Sequence, residues 1–294
     1  MSTGYSPGMR SLADIAPEGI LLAGAGRAIL LQIADPAVGR GVAAHSHFVA
    51  HPMRRLTATL SYIYALSNGD AEDVAAVRRA VNRAHAPVRS APGETPAYDA
   101  FDPESQLWVT ATLYDSAVSL WERVFGALGD AEAERVYREY AVLGTTLQMP
   151  EGLWPATRAD FAVYWADRLE RLEVGRDARR VSDALLTARN APAPVRAAMP
   201  LVRFVTAGLL PDRLRAPYGF QWTDRRQRRF DRLIDGIAPV YRALPTAVRQ
   251  LPERRYLAGL RRDREWRPGH AARATAPTSG PHAARSRSDA RTPR

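Results

Sequence analysis

Residues 102–126 read DPESQLWVTATLYDSAVSLWERVFG, and this stretch decides the fold class. Asp102 is a helix-capping residue type, Pro103 suits a first helical turn, and Glu104 places a carboxylate near the positive end of the helix dipole. Leu107, Ala111, Tyr114, Val118, Trp121 and Phe125 then recur at steps of three and four, so they share one helical face. Gly126 ends the run. The stripe reads as the inward face of a long core helix, not as a cofactor box.

Outward from it, helical periodicity continues nearly throughout. Breakers and caps predict helices over 25–34, from Pro36 towards Ser46, from Pro52 to about Ser67, and from an Asp70 cap to Val88, followed by a Pro/Gly-rich loop at 90–100. Towards the C-terminus they predict helices over 129–148, 160–172, 182–189, 194–209, 224–244 and 253–262. No alternating pattern marks a strand pair, and no internal repeat is present. The joints are short, which argues for one compact all-α domain over residues 21–262. Residues 1–20 read as an N-terminal extension. Residues 263–294 are rich in Arg, Pro, Ala and Ser, hold almost nothing to bury, and read as a disordered tail.

With 294 residues, 46% of them hydrophobic, the chain can bury a sizeable core. It has no cysteine, which excludes disulfides, thiolate metal sites and cysteine nucleophiles. The net charge is +10, yet all 41 basic residues are arginine. A basic set without lysine points to base composition of the genome rather than to phosphate binding. Residues 262–294 alone carry eight arginines against three acids, half of the net charge. No nucleic-acid motif accompanies the charge, so a nucleic-acid partner is not expected. Residues 1–18 are polar and broken by Pro7, Gly8 and Pro17, unlike a secretory leader. The most apolar run, 20–33, is interrupted by Arg27 and is shorter than the roughly 20 residues a bilayer span needs. The expectation is a cytoplasmic protein without a membrane span, of an oligomeric state the sequence does not set.

Four constellations could carry chemistry. His85 falls on the stripe Val74, Val77, Val81, Ala84 and Val88, which predicts an imidazole facing the core. Such a ring needs a partner, because an unpaired buried polar group costs on the order of 1–3 kcal/mol. A side chain, a carbonyl or a metal would serve, and on spacing alone the satisfied core histidine is the commoner outcome. Arg55 and Thr59 lie four apart and share a face with Ile63 and Leu66, so they could aim a guanidinium and a hydroxyl into an apolar pocket or pair with a surface acid. Thr112 and Asp115 lie beside the core stripe, and Asp115 could orient an imidazole or pair with one of the arginines. His45, His47 and His51 are close in sequence, but no carboxylate stands at the spacing of a zinc or non-haem iron motif. The run Gly24–Ala25–Gly26–Arg27 lacks the third glycine, the preceding strand and the downstream acid of a dinucleotide loop. No nucleophile elbow or kinase set is present.

The order of segments says more. Residues 26–38 (GRAILLQIADPAV) are followed by 41–46 (GVAAHS), Pro52 with 55–60 (RLTATL), 81–89 (VNRAHAPVR), Asp102–Pro103 with 107–116 (LWVTATLYDS), and later 206–211 (TAGLLP) and Tyr218–Gly219. This ordered set resembles the catalytic domain shared by rubber oxygenase (latex clearing protein) and the ER-bound oxygenase of mycophenolic acid biosynthesis, over roughly residues 24–251. The resemblance implies a globin-like all-α domain that holds haem b. It implies His85, followed by Val88 and Arg89, as the axial ligand to iron. It matches Arg55 and Thr59 to the ends of a distal Arg-x-x-Lys-Thr arrangement, with Ala58 where the lysine would stand. Asp35 stands where many members carry a histidine before the proline. The residues expected around the cofactor are therefore His85, Arg55, Thr59, His45, Arg89, Thr112 and Asp115, with Arg55 and Thr59 as the catalytic pair. The implied activity is oxidation by dioxygen of an apolar small molecule, an isoprenoid or other unsaturated chain. Two alternatives are a non-enzymatic binder of haem or an apolar ligand, and a cofactor-free helical interaction protein.

Overall fold

The computed structural model describes residues 10–45, 52–188 and 191–266. Among them no strand forms; Arg89 and Asp99 make an isolated antiparallel bridge. The longer helices are α1 Ala25–Ala34, α2 Pro36–Ala44, α3 Pro52–Asn68, α4 Ala71–His85, α5 Pro103–Phe125, α6 Asp130–Tyr140, α7 Arg158–Arg171, α8 Arg176–Thr187, α9 Ala193–Leu209, α10 Asp224–Ala243 and α11 Leu251–Trp266. The all-α expectation is met.

Local chemistry sets the boundaries. Asp102 accepts from the Ser105 amide at 2.8 Å and starts α5 with Pro103 in its first turn. Asp70 caps α4 through the Asp73 amide at 2.7 Å, and Asp73 reaches back to the Asp70 amide at 3.3 Å. α4 stops at His85, earlier than the predicted Val88: Ala86 still has helical backbone and donates to the Asn82 carbonyl, but Pro87 has no amide hydrogen to continue the ladder. Asp35 ends α1 in an extended conformation and caps α2 by accepting from the Ala37 and Val38 amides, both at 3.0 Å. The apolar pair 19–34 and 36–44 is thereby bent by 103°, and among the described residues no single helix is long and apolar enough to cross a membrane.

α5 is the axis of the molecule. Leu107, Ala111, Tyr114 and Trp121 of its stripe are buried in the main core, and Trp108 behind them is fully enclosed. Leu120 and Val124 feed a second cluster with Leu209, Phe230 and Ala238. The helix is thus covered on more than one face, by α1 and α10 among others. α3 packs on both α4 and α11, which also touch each other.

Other boundaries also differ from expectation. The helix predicted over 129–148 breaks after Tyr140 and resumes as a short turn at Val142–Thr145, where Gly144 sits so close to Met149 that a Cβ would fall 2.5 Å from its Cε. α11 runs through Trp266, past the predicted domain end at 262, and its Arg261 is anchored by the fully buried Asp73 at 2.9 Å. Within the predicted N-terminal extension, Leu12 and Ile15 are buried in the main core and the Leu12 amide donates to Glu139 at 2.7 Å. That segment is part of the domain. Residues 1–9 and 267–294 lie outside the described residues.

Candidate functional site

His85 is the last residue of α4. The inward run of that helix is Asp73 and Val77, both buried, then Val81 and His85, both half-buried, a step of four throughout, while Ala84 is exposed. The His85 ring meets Phe101 edge-on at 6.3 Å between centroids. Its Nδ1 is buried and has no hydrogen-bond partner. Burial pushes the imidazole pKa down, and the Arg55 charge pushes it further the same way. Both effects favour the neutral ring, the form with a free lone pair.

Arg55 comes from α3, which packs against α4. Burial lowers its pKa to about 9. Its guanidinium donates to Gln32 Oε1 at 3.3 Å, and Gln32 Nε2 donates to Thr112 Oγ1 at 3.0 Å. Thr112 in turn donates to the Val109 carbonyl at 2.7 Å. Thr59 follows Arg55 by one turn and is half-buried. His85, Arg55 and Thr112 therefore belong to one neighbourhood, and Gln32 joins two of them.

Gln32 was not singled out by spacing. Its signal is chemical: one amide in the otherwise apolar run 28–34, on a residue only 4% exposed. A buried amide requires partners, but the sequence does not say which.

Asp115 stands apart. It pairs with Arg27 at 2.5 Å, which is the second of the two outcomes its position offered. His45 is held by two carbonyls, with Nδ1 at 2.9 Å from Gly41 O and Nε2 at 3.0 Å from Pro87 O. It clamps the end of α2 to the turn that follows His85. His47 and His51 lie outside the described residues. Among the described residues, no group of three or more histidines and carboxylates could hold a metal ion.

The family model for ER-bound oxygenase mpaB/B'/Rubber oxygenase, catalytic domain, matches residues 13–239. The chain belongs to this family. It therefore carries an oxygenase catalytic domain. Two mycobacterial relatives, the uncharacterized protein Mb2261 of Mycobacterium bovis and the uncharacterized protein Rv2237 of Mycobacterium tuberculosis, are each 37% identical over 222 residues, 74% of this chain and 87% of theirs. No solved structure matches.

Two positions at which the resemblance implies other residues have visible surroundings. Ala58, in place of the distal lysine, lies on the exposed side of α3. Asp35, in place of histidine, caps α2 and also accepts from Arg168 at 2.7 Å. Arg89 is exposed and closes its own turn by donating to the Ala86 carbonyl at 3.2 Å.

Proposed function

We propose that this chain is a haem b-dependent oxygenase of an apolar, unsaturated substrate, in which a ring nitrogen of His85 would hold the haem iron and Arg55 and Thr59 would line the dioxygen side. The observation that carries this reading is the buried, unpartnered Nδ1 of His85 next to the Arg55 charge. A lone orphaned imidazole nitrogen is a cost to the folded chain, and a metal ion at the ring would offset it. Haem iron, when bound, supplies dioxygen binding and redox chemistry.

The chain's own residues supply the rest. His85 offers a neutral lone pair, held in that form by burial and by Arg55. Arg55 is a fixed donor and a positive charge for an anionic oxygen. The Thr59 hydroxyl, one helical turn away, is a second donor. Ile63 and Leu66 continue the face of Arg55 and Thr59, Leu56 lies beside it, and Phe101 meets the His85 ring. They suit a hydrocarbon chain and exclude water.

Absorption spectra of the purified protein with added haem test the reading. Wild type is expected to show a haem band that His85→Ala loses or shifts, and oxygen uptake on adding an unsaturated hydrocarbon chain. Equal haem loading in both proteins removes the ligand assignment, and no loading in wild type removes the cofactor. A second reading, a haem or apolar-ligand binder without catalysis, is favoured by Ala58, since no lysine ammonium is available at that position. It predicts the haem band without oxygen uptake.

A further inference from the structure

We infer that Gln32, backed by Thr112, is a positioning residue that fixes the Arg55 guanidinium of the proposed oxygen site. The inference rests on the reading of Arg55 as part of that site.

Each partner in the chain has a single allowed direction. Arg55 can only donate, so the group facing it must be an acceptor. Gln32 presents Oε1 there, at 3.3 Å. The Thr112 hydroxyl donates its hydrogen to the Val109 carbonyl at 2.7 Å, so a lone pair faces Gln32. The group meeting that lone pair must be a donor, and Gln32 presents Nε2 at 3.0 Å. Thr112 therefore sets the orientation of the amide, and the amide sets the acceptor for Arg55. Both Gln32 and Thr112 are buried, at 4% and 0% exposure, so water does not compete for these bonds. Gln32 sits on α1 and Thr112 on α5, two packed core helices, while Arg55 sits on α3. The core thus holds the arginine from behind.

The residue type follows from this polarity. Glutamate at position 32 would present oxygen to the Thr112 lone pair, losing that bond, and would neutralise the guanidinium. Leucine would remove both bonds. The amide alone holds Arg55 without taking away its charge.

The test uses the full chain without haem and reads the Arg55 guanidinium by nitrogen NMR, together with Gln32→Leu, Gln32→Glu and the isosteric Thr112→Val. In wild type the two Nη groups are expected to be resolved, because rotation about the Nε–Cζ bond is restrained. Gln32→Leu and Thr112→Val should speed that rotation by about fivefold or more, as expected for the loss of one buried hydrogen bond. Gln32→Glu should keep it slow. Unchanged rotation in folded Thr112→Val and Gln32→Leu overturns the assignment. If Gln32→Leu does not fold, Thr112→Val decides. In the haem-loaded, reduced protein, carbon monoxide serves as a probe of the charge: its stretching band should rise in frequency in Gln32→Glu, and an identical band overturns the claim that the amide preserves the charge. Absence of any haem signal in wild type removes the haem reading alone, since the Arg55 resonances still decide the role of Gln32.

Discussion

Arg27 on α1 meets Asp115 on α5 at 2.5 Å, and the same guanidinium donates to Ser116 Oγ at 2.7 Å and to the Leu209 carbonyl at the end of α9 at 2.8 Å. A single side chain ties three core helices. Burial raises the Asp115 pKa, and Arg27 opposes that rise. Arg27→Met leaves a largely buried carboxylate without its cation, and the expected loss is about 3 kcal/mol at pH 7 by denaturant unfolding. The pH dependence has a definite sign. With its folded pKa raised, Asp115 favours the fold in its protonated form, so the deficit of Arg27→Met should shrink as pH falls from 7 towards the ordinary aspartate range. A deficit that stays constant over that window contradicts the account.

Glu253 in α11 is 6% exposed and its Oε1 has no partner. Burial pushes its pKa up to about 7 from an ordinary 4.5. Its folded pKa is raised, so its contribution to stability is complete below about pH 4.5 and is lost as pH climbs through about 7. Glu253→Gln is therefore expected to be more stable than wild type above pH 7, by about 1–2 kcal/mol, with no advantage below pH 4.5. Thermal unfolding at pH 4.5 and pH 8 gives the comparison, and an equal difference at both pH values refutes it.

Asp35 performs two jobs, capping α2 and accepting from the largely buried Arg168, whose guanidinium lies 5.3 Å from the Trp108 ring. Asp35→Asn keeps a capping side chain and loses the ion pair. Asp35→Ala loses both. The expected order of stability is wild type, then Asn, then Ala, with the Asn-to-Ala step worth about 1 kcal/mol. If the two variants unfold at the same denaturant concentration, the capping role is not real.

The helical class was legible because its signals are local. Asp70 and Asp102 stand beside the amides they cap, and the 107–125 stripe needs only its own neighbours. His85 was legible as an inward residue for the same reason, although the inward run proved to be 73, 77, 81 and 85, with the last two half-buried. What was hidden depends on distant partners. Asp115 could have met an imidazole or any of 41 arginines, and only the packing of α1 on α5 selects Arg27. Gln32 reads as an amide in an apolar run until α3 and α5 bring Arg55 and Thr112 to its two ends. Arg261 of α11 sits among charged residues instead of on an apolar stripe, so its anchor on Asp73, 188 residues away, has no local signature.

The glycine run that does not make a nucleotide loop has a packing role instead. Gly26 on α1 faces Thr206 on α9, and a Cβ at position 26 would lie 2.1 Å from Thr206 Oγ1 and 3.1 Å from its Cγ2. The two helices cross at a distance that only glycine allows. Thr206 Oγ1 is itself buried without a partner. Gly26→Ala should therefore destabilise by about 1–3 kcal/mol through overpacking. Thr206→Ala removes the two nearest crowding atoms, leaving only its Cβ at 3.2 Å, together with an unsatisfied hydroxyl, so alone it should cost less than a buried threonine usually would. In the double variant the new methyl occupies the space left by the threonine. The two changes should then be strongly non-additive, with the double variant recovering most of the stability lost in Gly26→Ala. Additive losses in a double-mutant cycle would mean that α1 and α9 do not meet through this pair.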